Sequence, residues 1–502
     1  MTAGEFLDWH PDPANVSLVD VFEAAVAAHP DRLFCSDGLL RLTYGEAARA
    51  IDALAADIAK RVAGRDVALV TANRLSFYIA YLGVLRAGGA AALINAAIPA
   101  TSITAMVEAL DAALVIAPEP GISDNAYVLD GAAVAQLAAR HAKPPAHRPA
   151  PDDVATYLYT GGTTGVPKRI AYTNRQIMAA GARMQWGWPI HDGEVFLHIA
   201  PFSHVYGFLM GVCCTLQGAG SAILPERFHP DLVLDLMARE RVSVLGGGPP
   251  PVYQALVAHP GLAERDLSAL RVCPGGGAPF PRALMDRWRA ATGLELYEGY
   301  GMTEMAPVVV NTAHNGARAG TSGRVVPDTE VKIVDVETGT RILGPGEAGE
   351  ICARGPHMMA GYVGNPEETA LVLRDGWIHT GDIGVMDEDG FLAITDRKKD
   401  MIITKGFNVF PREVEEVLAT HPAVATVCVV GAPDARSGEA VVAFIGLRPG
   451  AEATPETLRA HCAEAMSDYK LPAIIHLRAA LPQTPAGKLD RMAMRAEARG
   501  AG

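Results

Sequence analysis

Apolar and polar positions alternate along the chain with two periods, and the period changes part-way. Leu18–His29 and Tyr44–Val62 carry apolar residues at helical spacing, and Phe77–Arg86 continues that pattern. Between and after them lie short, nearly continuous apolar runs: Asp66–Val70, Ala90–Asn95, Ala113–Ala117 and Val242–Leu245. Runs of this kind read as buried strands. Strands separated by helices predict an α/β fold with substantial parallel sheet. Gly207–Leu224 is apolar enough to resemble a membrane span. It contains Gln217 and several glycines, and only Arg227 lies near as a basic flank. A buried helix and strand inside a large domain is the better expectation.

After about residue 320 the pattern shortens. Val325–Asp335 and Gly349–Gly355 read as short strands, and Asp387–Gly390 as the turn of a hairpin. The Pro-rich run His141–Pro151 reads as a surface connection. Beyond the charge-dense Asp396-Arg397-Lys398-Lys399-Asp400 come a helix at Pro411–Thr420, a strand at Ala425–Val430 and an α+β tail. No internal repeat is visible. The expected architecture is a large multi-subdomain N-terminal domain, residues 1–396, with mixed and parallel sheets. A small, mobile α+β C-terminal domain, residues 397–502, follows it.

Composition narrows the function. The 502 residues are 49% apolar and 20% charged, which excludes a disordered chain and exceeds what one core accommodates. Acidic residues outnumber basic ones, 56 to 43, for a formal charge of −13. A nucleic-acid-binding surface is therefore not expected. The 7 cysteines form no C-x-x-C pair, which argues against a zinc site or a disulfide framework and fits a reducing compartment. Met1–Asn15 carries Glu5, Asp8 and Asp12 and no apolar run, so a secretory leader is not expected. The expected location is cytoplasmic, without integral membrane contact.

The strongest local signal is Thr160-Gly161-Gly162-Thr163-Thr164-Gly165-Val166-Pro167-Lys168. Its glycines free backbone N–H groups to face an anion, and its threonines and lysine add donors. Pro167 and Arg169 flank the lysine, so this is not a Walker A loop. Glu298-Gly299-Tyr300-Gly301-Met302-Thr303-Glu304 offers an aromatic ring between glycines and a carboxylate suited to Mg²⁺. Asp382 ends Gly376–Asp382, Arg397 follows, and Lys488 closes the set in Pro485–Lys488.

In this order the segments resemble the adenylate-forming superfamily, which includes acyl-CoA synthetases and the adenylation domains of peptide synthetases. The resemblance runs from Leu42 to Lys488. The stretches Asp396–Ile402 and Gly406–Val409 are similar to bacterial fatty-acyl-CoA ligases. It implies an ATP-dependent carboxylic acid–CoA ligase that forms acyl-AMP and pyrophosphate, then passes the acyl group to the CoA thiol. It further implies that Thr160–Lys168 holds the β- and γ-phosphates and that Thr160 and Glu304 hold Mg²⁺. Gly275, Gly276, Gly277 and Ala278 would line the adenine, with Tyr300 on the base and Glu298–Thr303 around it. Asp382 and Arg397 would grip the ribose. Lys488 would serve adenylation, Lys399 would be the pivot of a domain rotation, and Gly406 and Phe407 would reach the pantetheine chain. The Arg169 side chain, where relatives often carry Gly, is expected simply to face solvent.

For the acyl site the resemblance implies His204 between the pantetheine and acyl positions. Tyr206, Gly246, Gly248, Gly299, Pro307 and Val308 would line the pocket. Phe202–Gly207 has no Asp to pair with an amino-acid ammonium, and Gly299 stands where dicarboxylate-using relatives carry arginine. A neutral-tailed acid, fatty or aromatic, is therefore expected. Gly246, Gly247 and Gly248 are expected to add space beside it. An acyl-AMP ligase that loads a carrier protein is the alternative, and a catalytically silent scaffold a weaker one.

Overall fold

A computed structural model describes residues 15–123, 126–160, 167–278, 280–312, 316–434, 436–482 and 489–500. The chain divides into two compact units. The first comprises Met1–Val331, Ala353–Ile378 and Gly390–Leu392; the second comprises Lys332–Cys352, His379–Asp389 and Ala393–Gly502. The second unit thus takes in two segments that precede residue 396.

Within the first unit, six strands form one sheet in the order Ala126–Val128, Leu114–Ala117, Asp66–Thr71, Ala90–Asn95, Val154–Tyr159, Arg169–Thr173. All neighbours are parallel except the last pair, which is an antiparallel hairpin bracketing the Gly/Thr-rich segment. The central strands are buried on both sides, which is why they read as continuous apolar runs. A second sheet is ordered Val244–Gly246, Val195–His198, Ser221–Ile223, Leu33–Ser36, Arg41–Thr43. The helix Tyr44–Val62 starts where the pattern places it because Thr43 and Glu46 form a reciprocal cap.

Gly207–Leu224 is the buried helix and strand the composition suggests. The helix runs Val205–Phe208, passes through a π-helical segment Leu209–Cys214, and ends at Gln217; the strand is Ser221–Ile223. Every residue of the π segment is buried. Val325–Asp335, by contrast, is not one strand. Strands Gly323–Val325 and Glu330–Val334 are separated by a turn in which Pro327 precedes Asp328 at φ 52°.

In the second unit, Val424–Asp434 and Gly438–Leu447 form a long hairpin, and Ile474–Arg478 adds in parallel. Alternate residues face opposite sides. Val429, Val441, Ala443 and Ile445 pack with Val414, Leu418, Leu458 and Cys462 of two helices. Cys428, Val430, Val442 and Phe444 pack with Met494 and Ala498 of the helix Arg491–Gly500.

Candidate active site

The signature Glu298–Glu304 lies in a third sheet, on strands that belong to the first unit. Strands Tyr297–Met302 and Met305–Val310 pair antiparallel, with Met302 opposite Met305. Thr303 and Glu304 are thus the two residues of a tight hairpin turn, and Glu304 sits at its tip. The Tyr362 hydroxyl donates to Glu304 Oε1 at 2.6 Å. Burial and the Glu304 charge keep the Tyr362 phenol well above its ordinary range, so it stays a donor. The Lys168 ammonium lies 4.7 Å over the Tyr362 ring and pairs with Glu368 Oε2 at 2.6 Å. The residue expected to meet phosphate and the one expected to meet metal are therefore joined through one buried tyrosine. The sequence reading missed Tyr362 and Glu368; a lone aromatic in a Gly- and Pro-rich stretch carries little signal.

Thr160 N donates to the Lys168 carbonyl at 3.0 Å, closing the loop at its base. Gly161, Gly162, Thr163, Thr164 and Gly165 lie outside the described residues, as does Lys488. The expectation for Arg169 needs correction. Its guanidinium lies 5.0 Å over the Tyr157 ring on the paired strand and is partly buried. A cation on an aromatic face in a hairpin is a packed position rather than a solvated one.

The glycine-rich segment expected at the adenine is built close to the second sheet. Gly275 pairs with Glu298, and Gly248 forms a bridge with Gly275. A Cβ on Gly276 would lie 3.4 Å from the Gly299 carbonyl oxygen and 3.5 Å from the Tyr206 ring. Gly277 has φ 79° and open space beside it, a conformation that favours glycine; Ala278 is half-buried next to it. Gly301 lies against Ala306 across the hairpin, and Tyr300 is half-buried opposite Val309. Glu298 uses one carboxylate oxygen on Phe280 N at 3.0 Å and the other on Ser322 Oγ at 2.8 Å. Both bonds brace the segment around the expected base site.

Of the residues expected at the acyl pocket, Tyr206, Gly248 and Gly299 lie close together, around Gly276 of the segment expected at the adenine. Trp188, which the sequence reading did not single out, completes the group. A Cβ on Gly299 would meet Trp188 Cζ2 at 3.0 Å and Val310 Cγ1 at 3.3 Å. Trp188 is 2% exposed and stands edge-on to Tyr206 at 6.4 Å. The Tyr206 hydroxyl donates to the Pro274 carbonyl at 3.1 Å. The expected space at Gly246 and Gly247 is not there. A Cβ on Gly246 would be 2.7 Å from His198 Nδ1, and one on Gly247 would be 2.9 Å from the Tyr253 ring. Both glycines permit close packing, and only Gly248, at φ 99° with Ala200 Cβ 3.4 Å away, faces a looser wall. Val308 is fully buried, and the Pro307 carbonyl accepts from His357 Nε2 at 2.7 Å. Exposed His204 caps a helix, its Nδ1 accepting from Tyr206 N at 3.3 Å.

The remaining expected residues lie in the second unit. Asp382 Oδ1 is 3.4 Å from Arg397 Nε, and Asp382 N donates to Thr380 Oγ1 at 3.0 Å. Lys399 is exposed, yet its flanks are held. Asp396 accepts from Arg397 N and Arg412 N at 2.7 and 2.8 Å, Lys398 pairs with Glu350 at 2.9 Å, and Asp400 pairs with Arg495 at 2.8 Å. Lys405 and Gly406, at φ 52° and 82°, form the turn between strands Ile402–Thr404 and Phe407–Val409. Both dihedrals suit a type I′ hairpin. Phe407 is 54% exposed and stacks on Tyr469 at 4.6 Å.

Among the described residues no group of three or more His, Cys, Asp or Glu could hold a metal ion, and no helix is long and apolar enough to cross a membrane. A lone carboxylate at a hairpin tip still fits Mg²⁺, which keeps several waters and takes substrate phosphates as ligands.

Within the first unit Lys168 is thus tied to the Glu304 hairpin through Tyr362, and within the second Asp382 pairs with Arg397. Residues 22–363 match the family model for the AMP-binding enzyme, and residues 413–488 match its C-terminal domain. A long-chain-fatty-acid–CoA ligase of Escherichia coli O157:H7 is 33% identical over 96% of this chain and 95% of its own. One from Bacillus subtilis (strain 168) is 40% identical over 68% of this chain and 61% of its own. The ATP-bound crystal structure of MatB from Rhodopseudomonas palustris superimposes with a TM-score of 0.86 at 27% identity, covering 95% of this chain and 98% of that one. The chain belongs to the AMP-binding enzyme family. Its activity is that of an AMP-forming acid–CoA ligase that uses ATP, CoA and a carboxylic acid.

Proposed function

We propose that the acid is a neutral-tailed monocarboxylate, with a fatty acid as the favoured class. The observation that supports this is the wall at Gly299: Trp188, Val310, Tyr206 and Gly276 surround it, and none of them carries a charge. An anionic tail brought against these four residues would find among them no charge to pair with, which is costly. The relatives named as long-chain-fatty-acid–CoA ligases support the aliphatic choice.

In the first half-reaction a carboxylate oxygen bonds to the α-phosphorus of ATP as the bond to pyrophosphate breaks. Crowded negative charge is the obstacle, so the residues act by positioning and electrostatics. Lys168 and the loop it closes would take the β- and γ-phosphates. Tyr362 fixes the Glu304 carboxylate, and Glu304 with Thr160 would hold Mg²⁺, which supplies further charge neutralisation. Asp382 and Arg397 would hold the ribose, and Lys488 the carboxylate and α-phosphate. In the second half-reaction the CoA sulfur bonds to the acyl carbon and AMP leaves. The turn Lys405–Gly406 and exposed Phe407 would meet the pantetheine chain after residues 397–502 rotate about Lys399.

Pyrophosphate release with a panel of acids, with and without CoA, tests this reading. Turnover of fatty acids with CoA, above that of dicarboxylates and amino acids, is the expected result. Acyl-AMP that accumulates and is never consumed by CoA would instead point to a carrier-protein thiol.

A further inference from the structure

A buried cluster of titratable groups around Glu350, in the second unit, has no role in the reaction as assigned. Glu350, on a strand preceding the expected ribose residues, is 3% exposed. Its Oε1 accepts from Gly381 N at 3.2 Å, and its Oε2 pairs with Lys398 Nζ at 2.9 Å. His379 Nδ1 stands 3.5 Å from the same Oε2 and 3.4 Å from Cys352 Sγ. Gly381 is one residue before Asp382, and Lys398 is one residue after Arg397. A single carboxylate therefore holds the neighbours of both members of the Asp382–Arg397 pair. A second bond set reinforces it: Thr380 Oγ1 donates to the Ile351 carbonyl at 2.8 Å and accepts from Asp382 N at 3.0 Å.

A buried carboxylate that only stabilised the fold would need a cation and hydrogen-bond donors from anywhere nearby. This one draws them from the two positions that set the separation of Asp382 and Arg397. Burial pushes the Glu350 carboxyl up, but the hydrogen bond and charge of Lys398, with His379, more than offset it, so Glu350 is ionised beside the ammonium. Arg397 itself is 62% exposed and its side chain has little packing to fix it. Its backbone is held by Asp396 at Arg397 N and, one residue on, by Glu350 through Lys398.

We propose that Glu350 is a positioning residue for nucleotide selection, aligning Asp382 and Arg397 on the ribose hydroxyls by clamping Gly381 and Lys398. The proposal rests on the reading of Asp382 as a ribose ligand. It makes the chain's preference for ATP over 2′,3′-dideoxy-ATP depend on a carboxylate that never touches the nucleotide.

The experiment compares kcat/KM for ATP and for 2′,3′-dideoxy-ATP in pyrophosphate release by the full-length enzyme. The variants are Glu350→Gln, Lys398→Met and Asp382→Asn. Glu350→Gln keeps the shape and an acceptor for Gly381 but removes the charge that holds Lys398. Lys398→Met is a change at a side chain one-third exposed, which guards against a mere folding failure. Both variants are expected to narrow the ATP preference about tenfold, the equivalent of one charge-assisted hydrogen bond, mainly through KM for ATP. A general loss of stability would lower activity with both nucleotides and leave their ratio unchanged, and that outcome overturns the proposal. Asp382→Asn separates the two levels. If it collapses the preference while the other two variants do not, Glu350 is structural and the ribose assignment stands. If Asp382→Asn also leaves the ratio intact, the ribose assignment falls and the role of Glu350 falls with it.

Discussion

Replacing Tyr362 by Phe removes one oxygen and leaves the ring. The ring is needed under Lys168, 4.7 Å from its ammonium, so that contact should persist. What disappears is a donor 2.6 Å from Glu304 Oε1. Tyr362 is 7% exposed, so water does not readily replace the hydroxyl. A hydrogen bond to a charged acceptor is worth about 1.5–3 kcal/mol. At roughly 1.4 kcal/mol per factor of ten, the predicted loss is about 10- to 150-fold in kcat/KM for acyl-AMP formation. The loss should be accompanied by a higher Mg²⁺ requirement, because the carboxylate is no longer held at the hairpin tip. Initial rates of pyrophosphate release, titrated with Mg²⁺ at saturating acid, make the measurement. Melting temperature serves as the control for folding. Activity within twofold of the parent, at an unchanged Mg²⁺ half-point, would refute the idea that Tyr362 orients Glu304.

Gly299→Arg should displace Trp188 from a position 3.0 Å from the new Cβ, costing about 1–3 kcal/mol in packing, and cut kcat/KM for hydrophobic acids at least tenfold; unchanged turnover would remove Gly299 from the acyl wall. Lys399→Pro should spare acyl-AMP formation and slow thioester formation by roughly two orders of magnitude, because proline fixes φ at the proposed pivot; single-turnover assays of each half-reaction decide it. Stability should fall in acid through two buried histidines. Burial holds His198 and His357 at about 3, below the ordinary value near 6.5. The unfolded chain therefore binds protons that the folded chain does not, and stability is lost as pH falls from about 6.5 toward 3. His357→Gln should reduce the difference in unfolding free energy between pH 6.5 and 5 by about 1.6 kcal/mol, and an unchanged difference would show that His357 is not held neutral.

Legibility differed by how local the physics is. Tyr44–Val62 and Ala90–Asn95 were read correctly because a reciprocal cap and a doubly buried strand both leave their signature in adjacent residues. The acid–CoA ligase class was legible through the resemblance that these motifs, in their order, bear to the adenylate-forming superfamily. Space was not legible. Gly246 and Gly248 look alike in the sequence, yet one is filled by the His198 imidazole and the other is not. Trp188 and Tyr362 also escaped notice, because each matters through a partner more than fifty residues away. Arg169 was misread for a more local reason: the Tyr157 ring that receives it lies across a hairpin.

The flanks of Lys399 have a consequence for the statistics of turnover. A free five-residue linker would lose about 1–2 kcal/mol of backbone entropy for each residue ordered. Here Lys398 is fixed to Glu350 on one side of Lys399 and Asp400 to Arg495 on the other, while the Asp396–Arg412 bond spans the pivot and holds one orientation. If Lys399 is the pivot, nearly all conformational choice is confined to its own two dihedral angles. Selecting either orientation then forgoes the freedom of about one residue rather than five. Two states separated by so small an ordering term can interconvert in every catalytic cycle without either becoming a trap. The same economy makes length the sensitive variable: a single inserted glycine beside Lys399 would multiply the orientations to be searched while leaving every catalytic side chain intact.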